Sequence, residues 1–529
     1  MSLATRSRPH AVVVGSGPNG LVAANVLLDA GWTVLVLEAQ ATPGGAVRSD
    51  TDVHPDYVHD TMSSFYPLAA GSPVMQRLQL EEHGLTWRHA PAVLGHFHPA
   101  SGHWAILHRD RDETARMLEE QQPGDGEAWH QLCETWDVIG ADLAGALLSP
   151  FPPVRNTLGG LRRVRRAGGL DLVRQLLTPA AELGRQLFDG PSSRLLLAGN
   201  ASHSDIPLDA PGSGLMALLL AMLGQTSGWP VPEGGAGNLT RALARRAESL
   251  GGTIRCDAEV VRIETDRGRV IGMLLASGER IDARVVVADV AAPHLYGTLL
   301  SREALPQRTV RRMSRFQLDP GTVKIDWALS GPVPWAVPPP YAPGTIHVAD
   351  SVDELTASTA QIAAHAVPAR PFLLAGQMTT ADPTRSPSGT ESMWAYTHVP
   401  QETRADAGGG GIRGTWDDSD LQRLADRMQG RLEELAPGFG DLVVARRALG
   451  PRELESRDAN LIGGAINGGT AQLQQQLVFR PIAGSGRPET PVRGLYLGSA
   501  SAHPGGGVHG AAGNNAARAA IAHRRLRVR

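Results

Sequence analysis

The sequence predicts an α/β protein: a doubly wound parallel sheet assembled from separated stretches, with a discontinuous α+β domain inserted between them. Three observations predict this. Residues 11–48 read as strand, glycine-rich turn, helix and strand. Short β-branched or apolar runs recur at 281–288 and 494–497, far along the chain. The stretches between them carry helical and alternating apolar patterns of their own. At 529 residues, 42% hydrophobic and 19% charged, the chain can bury two or three cores and is not a disordered polymer. A net charge of −3 gives no general affinity for nucleic acid.

In the first unit, Val12 to Val14 suit a buried parallel strand. Gly15, Gly17 and Gly20 fill a G-x-G-x-x-G spacing: a tight turn, close backbone approach to a pyrophosphate, and helix packing on strand. Pro18, followed by Asn19, suits the first helical turn, where a missing N–H costs nothing. The helix is predicted to run to about Ala30, with Gly31 as its stop. Its N-terminus faces the phosphates. Thr33 to Leu37 form the second strand, and Glu38, followed by Ala39, ends it. A carboxylate there accepts the ribose hydroxyls and repels a 2′-phosphate, so the nucleotide is FAD or NAD and not NADP.

Gly44-Gly45-Ala46-Val47-Arg48 follows. It resembles the Gly-Gly-x-x-Arg/Ser segment that lies along the cofactor in the flavin amine oxidase and phytoene desaturase superfamily. The stretch 494–513, Gly-Leu-Tyr-Leu-Gly-Ser-Ala-Ser-Ala-His-Pro-Gly-Gly-Gly-Val-His-Gly-Ala-Ala-Gly, resembles the C-terminal flavin motif of carotenoid desaturases and carotene ketolases. The resemblance implies a Rossmann-type FAD-binding domain of the glutathione-reductase-like, amine oxidase type. Gly498, Ser499, His503, Val508, Gly510 and Ala511 then face the cofactor. Small residues allow backbone N–H groups close to it, and the dipole of the following helix favours negative charge at the flavin N1–O2 edge. The chain departs from the family at His509, where Ser is usual, and at Asn514, where Arg is usual. His509 adds a group able to carry a proton near the flavin. No cysteine lies in the motif, so FAD is expected to be non-covalent.

The expected division is 8–80, 229–295 and 441–529 for the FAD domain, and 81–228 and 296–440 for the substrate domain. Along the chain, His59-Asp60 reads either as a turn with a capping Asp or as a pair of proton handlers. Helical spacing marks 111–120, 126–148 and 170–188. The basic run 161–166 reads as a solvated arginine face or as a surface resting on anionic lipid. Pro232 to Leu239 resembles the family's Pro-x-Gly-Gly-x-x-x-Leu and opens a helix. Thr253–Ile263 and Arg269–Leu275 read as strands; in the family, the Val260 region backs the adenine. Val323–Leu329 and Met393–Tyr396 alternate as strands, and Leu421–Leu435 is an amphipathic helix. Lys324 is the one lysine among 50 basic residues. Its strand resembles the amine oxidase strand whose lysine holds a water near flavin N5, so a role in positioning dioxygen or steadying reduced flavin is weighed against a cation without one.

Several chemistries are excluded. Cys133 and Cys256 form no C-x-x-C, so disulfide-reductase chemistry is out. His96, His98 and His103 lack Cys or acidic partners and read as loop histidines rather than metal ligands. No second G-x-G-x-x-G follows a strand, so reduced flavin passes its electrons to dioxygen, a quinone or another acceptor. The longest apolar run, Leu215–Leu223, is far below the roughly 20 residues of a spanning helix. A cytoplasmic protein with peripheral membrane contact is expected; the motifs set no oligomeric state. The expected reaction removes hydride from a carbon of an apolar, isoprenoid or carotenoid-like small molecule. The alternatives are an amine oxidase and a flavin-bound regulatory protein with little turnover.

Overall fold

The computed structural model describes residues 9–152 and 168–528. The basic run 161–166 lies outside the described residues.

The three FAD-domain stretches meet in one five-stranded sheet. Its order is Leu495–Leu497, Val286–Ala288, Ala11–Val14, Val34–Leu37, Thr253–Arg255, and every pairing is parallel. The central strand is buried on both faces, which is why it reads as an unbroken valine run. The helix Pro18–Asp29 follows its turn, and Gly31 takes φ +77° behind it. That helix packs against Ala511–Val528 from the far end of the chain.

Two predicted strands are each two strands in different sheets. Thr253–Arg255 lies in the parallel sheet, the chain corners at Asp257 (φ +51°), and Val260–Asp266 enters an antiparallel meander with Arg269–Leu275 and Arg280–Asp282. Likewise 281–288 divides between Arg280–Asp282 and Val286–Ala288. Periodicity does not reveal such a corner, because the apolar pattern runs on through it. The helix expected over 170–188 is two, Leu170–Leu177 and Ala180–Leu187, because Pro179 cannot continue the first.

The second domain is organised on a seven-stranded sheet. Its order is Val443–Leu449, Gly321–Leu329, Glu391–Val399, Leu373–Gln377, Pro343–Val348, Ala92–His98, His103–Leu107. All pairings are antiparallel except that of Pro343–Val348 with Ala92–His98. Residues 81–228 supply two of these strands as well as helices, and Val443–Leu449 belongs with the substrate domain rather than with the third FAD piece. His96 and His98 stand in a strand and His103 starts the next, so none is the loop histidine expected.

Alternation sorts the faces of this sheet. Val323, Ile325 and Trp327 pack on the helix Asp418–Leu435 through Leu424, Met428 and Leu432. The opposite face of the sheet meets the helices Pro191–Ala201 and Ser213–Thr226 through Leu374, Trp394, Leu195 and Leu220. Lys324 and Asp326 fall on that opposite face. Among the described residues, no helix is long and apolar enough to cross a membrane.

Candidate functional site

The nucleotide cradle grows from the first turn. An added Cβ at Gly20 would lie 2.2 Å from the Gly15 carbonyl oxygen, so only glycine lets the helix close on the turn. At Gly513 the same atom would lie 1.9 Å from the Asn19 carbonyl oxygen. The starts of the first and last helices therefore touch, and two sets of first-turn N–H groups converge. Asn19 Oδ1 also accepts from Gly513 N (3.5 Å). Glu38 is buried and held ready. Its Oε2 accepts from Ser16 N (2.9 Å) and Ser16 Oγ (2.5 Å), and its Oε1 from Gln40 N (2.9 Å). Ala39 beside it is exposed. The 257–260 corner runs alongside through Ala258 N to Glu38 O (2.8 Å), which brings buried Val260 to the ribose end.

Gly44 N donates to Ser16 O (3.1 Å), laying the 44–48 segment on the phosphate turn. Ala46 O accepts from Ser63, and Arg48 Nε donates to Gly45 O (2.8 Å), with Arg48 Nη2 on Arg457 O. From the C-terminal motif, Gly498 N donates to Ala288 O (2.8 Å), and Ser499 Oγ to Val290 O (2.8 Å). Val508 packs into the apolar cluster behind the first helix, and Gly510 and Ala511 open the last helix. His503 Nε2 donates to Ser149 O (2.9 Å), so its buried Nδ1 remains an unpaired acceptor on the same loop. Open helix N-termini, an anchored acid and an orphaned acceptor fit a dinucleotide cofactor.

Three groups beyond the predicted site residues complete the site. Asp289 ends the Val286–Ala288 strand, accepts from Gly20 N (2.8 Å), and is pushed up to about 7 by burial. Asp319 accepts from the amides of Ile466, Asn467 and Gly469. Arg480 is fully buried and donates to the carbonyls of Asn467, Gly469, Thr470 and Ala500. Burial lowers its pKa to about 10. Arg480 clasps the 466–470 loop to the cofactor loop at 500. Only its place in Phe479-Arg480-Pro481 hinted at it.

The expected catalytic residues fare differently. Lys324 is 2% exposed; its ammonium donates to Asp60 O (2.9 Å) and pairs with Asp326, which also binds Arg447 Nη2 (2.8 Å). Burial lowers the Lys324 pKa against the pull of Asp326. For Asp326, burial pushes up, but Lys324, His59 and Arg447 outweigh it and hold the carboxyl below its usual range. Tyr396 is the cross-strand neighbour of Lys324, and Trp394 stacks on Tyr396 with centroids 5.9 Å apart.

His509 does not stand free to carry a proton. Its Nδ1 accepts from Ala511 N (3.0 Å), the carbonyls of Gly505 and Gly506 also engage its ring, and burial lowers its pKa to about 4. It is a neutral cap on the last helix. His59-Asp60 is neither a turn nor a proton-handling pair. The two alternate to opposite faces of the strand Tyr57–Asp60. His59 Nε2 donates to Trp327 O (3.0 Å), while Asp60 receives both Arg385 nitrogens (3.0 and 3.2 Å) and Ala236 N (2.7 Å). The capping reading survives across space: Ala236 opens the helix Gly237–Ser249. Among the described residues no group of His, Cys, Asp and Glu is arranged to hold a metal ion.

A doubly wound sheet, an acid on the ribose side, two converging helix starts and an inserted sheet domain define an FAD-dependent oxidoreductase. Comparison with known proteins agrees. The family described as flavin containing amine oxidoreductase matches residues 19–325, more than half the chain, and FAD dependent oxidoreductase matches 220–513. The chain belongs to the flavin containing amine oxidoreductase family. It is similar to pyridine nucleotide-disulfide oxidoreductase domain-containing protein 2 of Rattus norvegicus, 29% identical over 96% of this chain and 92% of that one. It is also similar to the lycopene-forming phytoene desaturase of a Paracoccus species, 28% identical over 58% of each. A putrescine oxidase solved with putrescine shares the fold: TM-score 0.57, 16% identity, 99% of each chain covered.

Proposed function

We propose that this oxidoreductase takes hydride from a carbon of a long apolar substrate of isoprenoid or carotenoid type, in a desaturation or oxidation, and that dioxygen or a quinone takes the electrons onward. Bound FAD supplies the hydride acceptor. One observation carries the reading: the side chains beside Lys324 on its sheet face are apolar. Trp394, Tyr396 and Leu374 pack in one apolar cluster with Leu195, Leu220 and Phe65. The charges on that face, Lys324 and Asp326, are paired with each other. Such a face desolvates a hydrocarbon and offers nothing to a strongly charged substrate. The named activity of the phytoene desaturase supports the same class.

The chain's own residues position and polarise. Lys324, fixed by Asp60 O and Asp326, places a positive charge where negative charge on a reduced cofactor is to be met. The first turns of the two converging helices add to it. Leu170, Val173 and Leu177 project from one exposed face of the helix Leu170–Leu177, which suits contact with a lipid surface carrying such a substrate.

A second reading, amine oxidation, is favoured by the stacked Trp394–Tyr396 pair beside Lys324. The test is anaerobic bleaching of the flavin by a carotene, a polyprenol lipid, an aliphatic amine, NADH and NADPH. Bleaching by the carotene or polyprenol is expected. Bleaching by the amine alone moves the protein to the oxidase reading. No bleaching at all, with FAD firmly bound, defeats both in favour of a regulatory flavoprotein.

A further inference from the structure

On the Lys324 face, one row of cross-strand neighbours crosses the large sheet: Lys324, Tyr396, Leu374, His347, His96. Two strand spacings, roughly 10 Å, separate the backbones of Tyr396 and His347. Over the far end of this row sits His203, just past the helix Pro191–Ala201. Its Nε2 lies 2.8 Å from Nε2 of His347, and its ring stands edge-on to Trp229 at 4.9 Å.

The hydrogen-bond network assigns the protons. His96 Nε2 lies 3.0 Å from the Ala349 carbonyl, which can only accept, so His96 carries its proton on Nε2. Nδ1 of His96 and Nδ1 of His347 are both buried without a partner. Both face Gly199, where an added Cβ would lie 2.9 Å and 2.4 Å from them. A lone pair tolerates a C–H neighbour. An N–H in the same place is a buried donor without an acceptor, the costlier arrangement. His347 therefore holds its proton on Nε2 and donates it to His203 Nε2. His203 must then carry its own proton on Nδ1.

That Nδ1–H has no partner among the described residues, and it is not among the fully enclosed unpaired atoms. His203 is only half-buried, yet burial lowers its pKa to about 3, with His398 adding to the effect. The Nδ1 edge of the ring is thus open to a molecule placed beside it, and the imidazole stays neutral. A neutral N–H of fixed direction suits an oxygen acceptor. A hydrocarbon would leave it unpaired, and an ammonium would oppose it.

We propose that His203 Nδ1–H hydrogen-bonds a hydroxyl or carbonyl oxygen of the substrate, so that the substrate is an oxygenated isoprenoid rather than a pure hydrocarbon. His347 is a positioning residue that sets the tautomer. The inference rests on the reading of an apolar substrate space on the Lys324 face.

The test uses FAD-loaded protein and three probes of one chain length: geranylgeraniol, geranylgeranial and the matching hydrocarbon. Dissociation constants are read from tryptophan quenching. Both oxygenated probes are expected to bind about five- to tenfold more tightly than the hydrocarbon, the effect of one neutral hydrogen bond. His203→Phe should abolish that preference and leave hydrocarbon binding within about twofold. His203→Gln, which keeps an N–H, should retain part of it. Each ratio is taken on one sample, so incomplete folding cancels, and either variant suffices if the other loses FAD. Equal binding of all three probes to the native protein overturns the inference and leaves the isoprenoid reading standing. A preference that survives in His203→Phe overturns the assignment to His203. No binding of any probe overturns both.

Discussion

Replacing Arg385 should loosen the joint between the two domains. Arg385, Asp60 and Asp382 are each fully buried. The guanidinium takes Asp60 through two nitrogens, Asp382 through Nε (3.0 Å), and the Pro232 carbonyl at 3.3 Å. Asp60 comes from the first FAD stretch, Arg385 from the substrate domain, and the Gly234 and Ala236 amides on the two carboxylates from the middle stretch. Arg385→Met strands two carboxylates without a cation. Breaking a buried pair in this way costs about 3–5 kcal/mol. Both acids keep hydrogen bonds, Asp60 from Ser49 and Ala236 and Asp382 from Gly234 and Thr384, which argues for the lower end, about 3 kcal/mol. Against a total of about 5–15 kcal/mol, that is a large share. The assay is urea unfolding followed by both flavin release and tryptophan emission. The two signals should shift to lower urea together, because the cluster spans both domains. Arg385→Lys keeps the charge but loses the fork, and should fall between. A loss below about 1 kcal/mol, the size of an exposed pair, would refute the reasoning.

Three further outcomes are expected. Glu38→Gln removes a charged ribose acceptor and should weaken FAD binding to the deflavinated protein by about ten- to a hundredfold in calorimetry; an unchanged constant would take Glu38 off the ribose. Asp289 has a folded pKa near 7, above the ~3.9 of an unfolded chain. Its contribution to apoprotein stability is complete below about pH 4 and is lost as pH rises through about 7, so Asp289→Asn should flatten the fall in unfolding midpoint between roughly pH 4 and pH 7. A native profile already as flat as the variant's would contradict this. Lys324→Met should slow reoxidation of photoreduced flavin by dioxygen at least about tenfold in stopped flow, with Asp326 still held by Arg447; an unaltered rate would leave Lys324 as a counter-ion to Asp326 alone.

The cofactor half of this protein was legible in the sequence because its chemistry is local. A turn that needs Gly15, Gly17 and Gly20, a strand buried on both faces, and an acid at a fixed distance all act within 28 residues, Ala11 to Glu38. The last motif was legible for the same reason: small residues at 494–513 must precede a helix that packs on the first. The side chains that set the rest answer to partners hundreds of residues away. Asp60 could not be read correctly without Arg385, nor Lys324 without Asp60 O and Asp326 on one sheet face. His509 looked like a proton carrier until the start of its own helix claimed Nδ1. His96 looked like a loop residue until three strands and a helix enclosed it. Sequence alone determined which cofactor is held and which turn is shaped for it, because backbone geometry and residue size decide those. Tertiary structure alone decided which buried charges are paired and which ring nitrogens are left without a partner, because protonation and pairing depend on the groups that burial brings within about 3 Å.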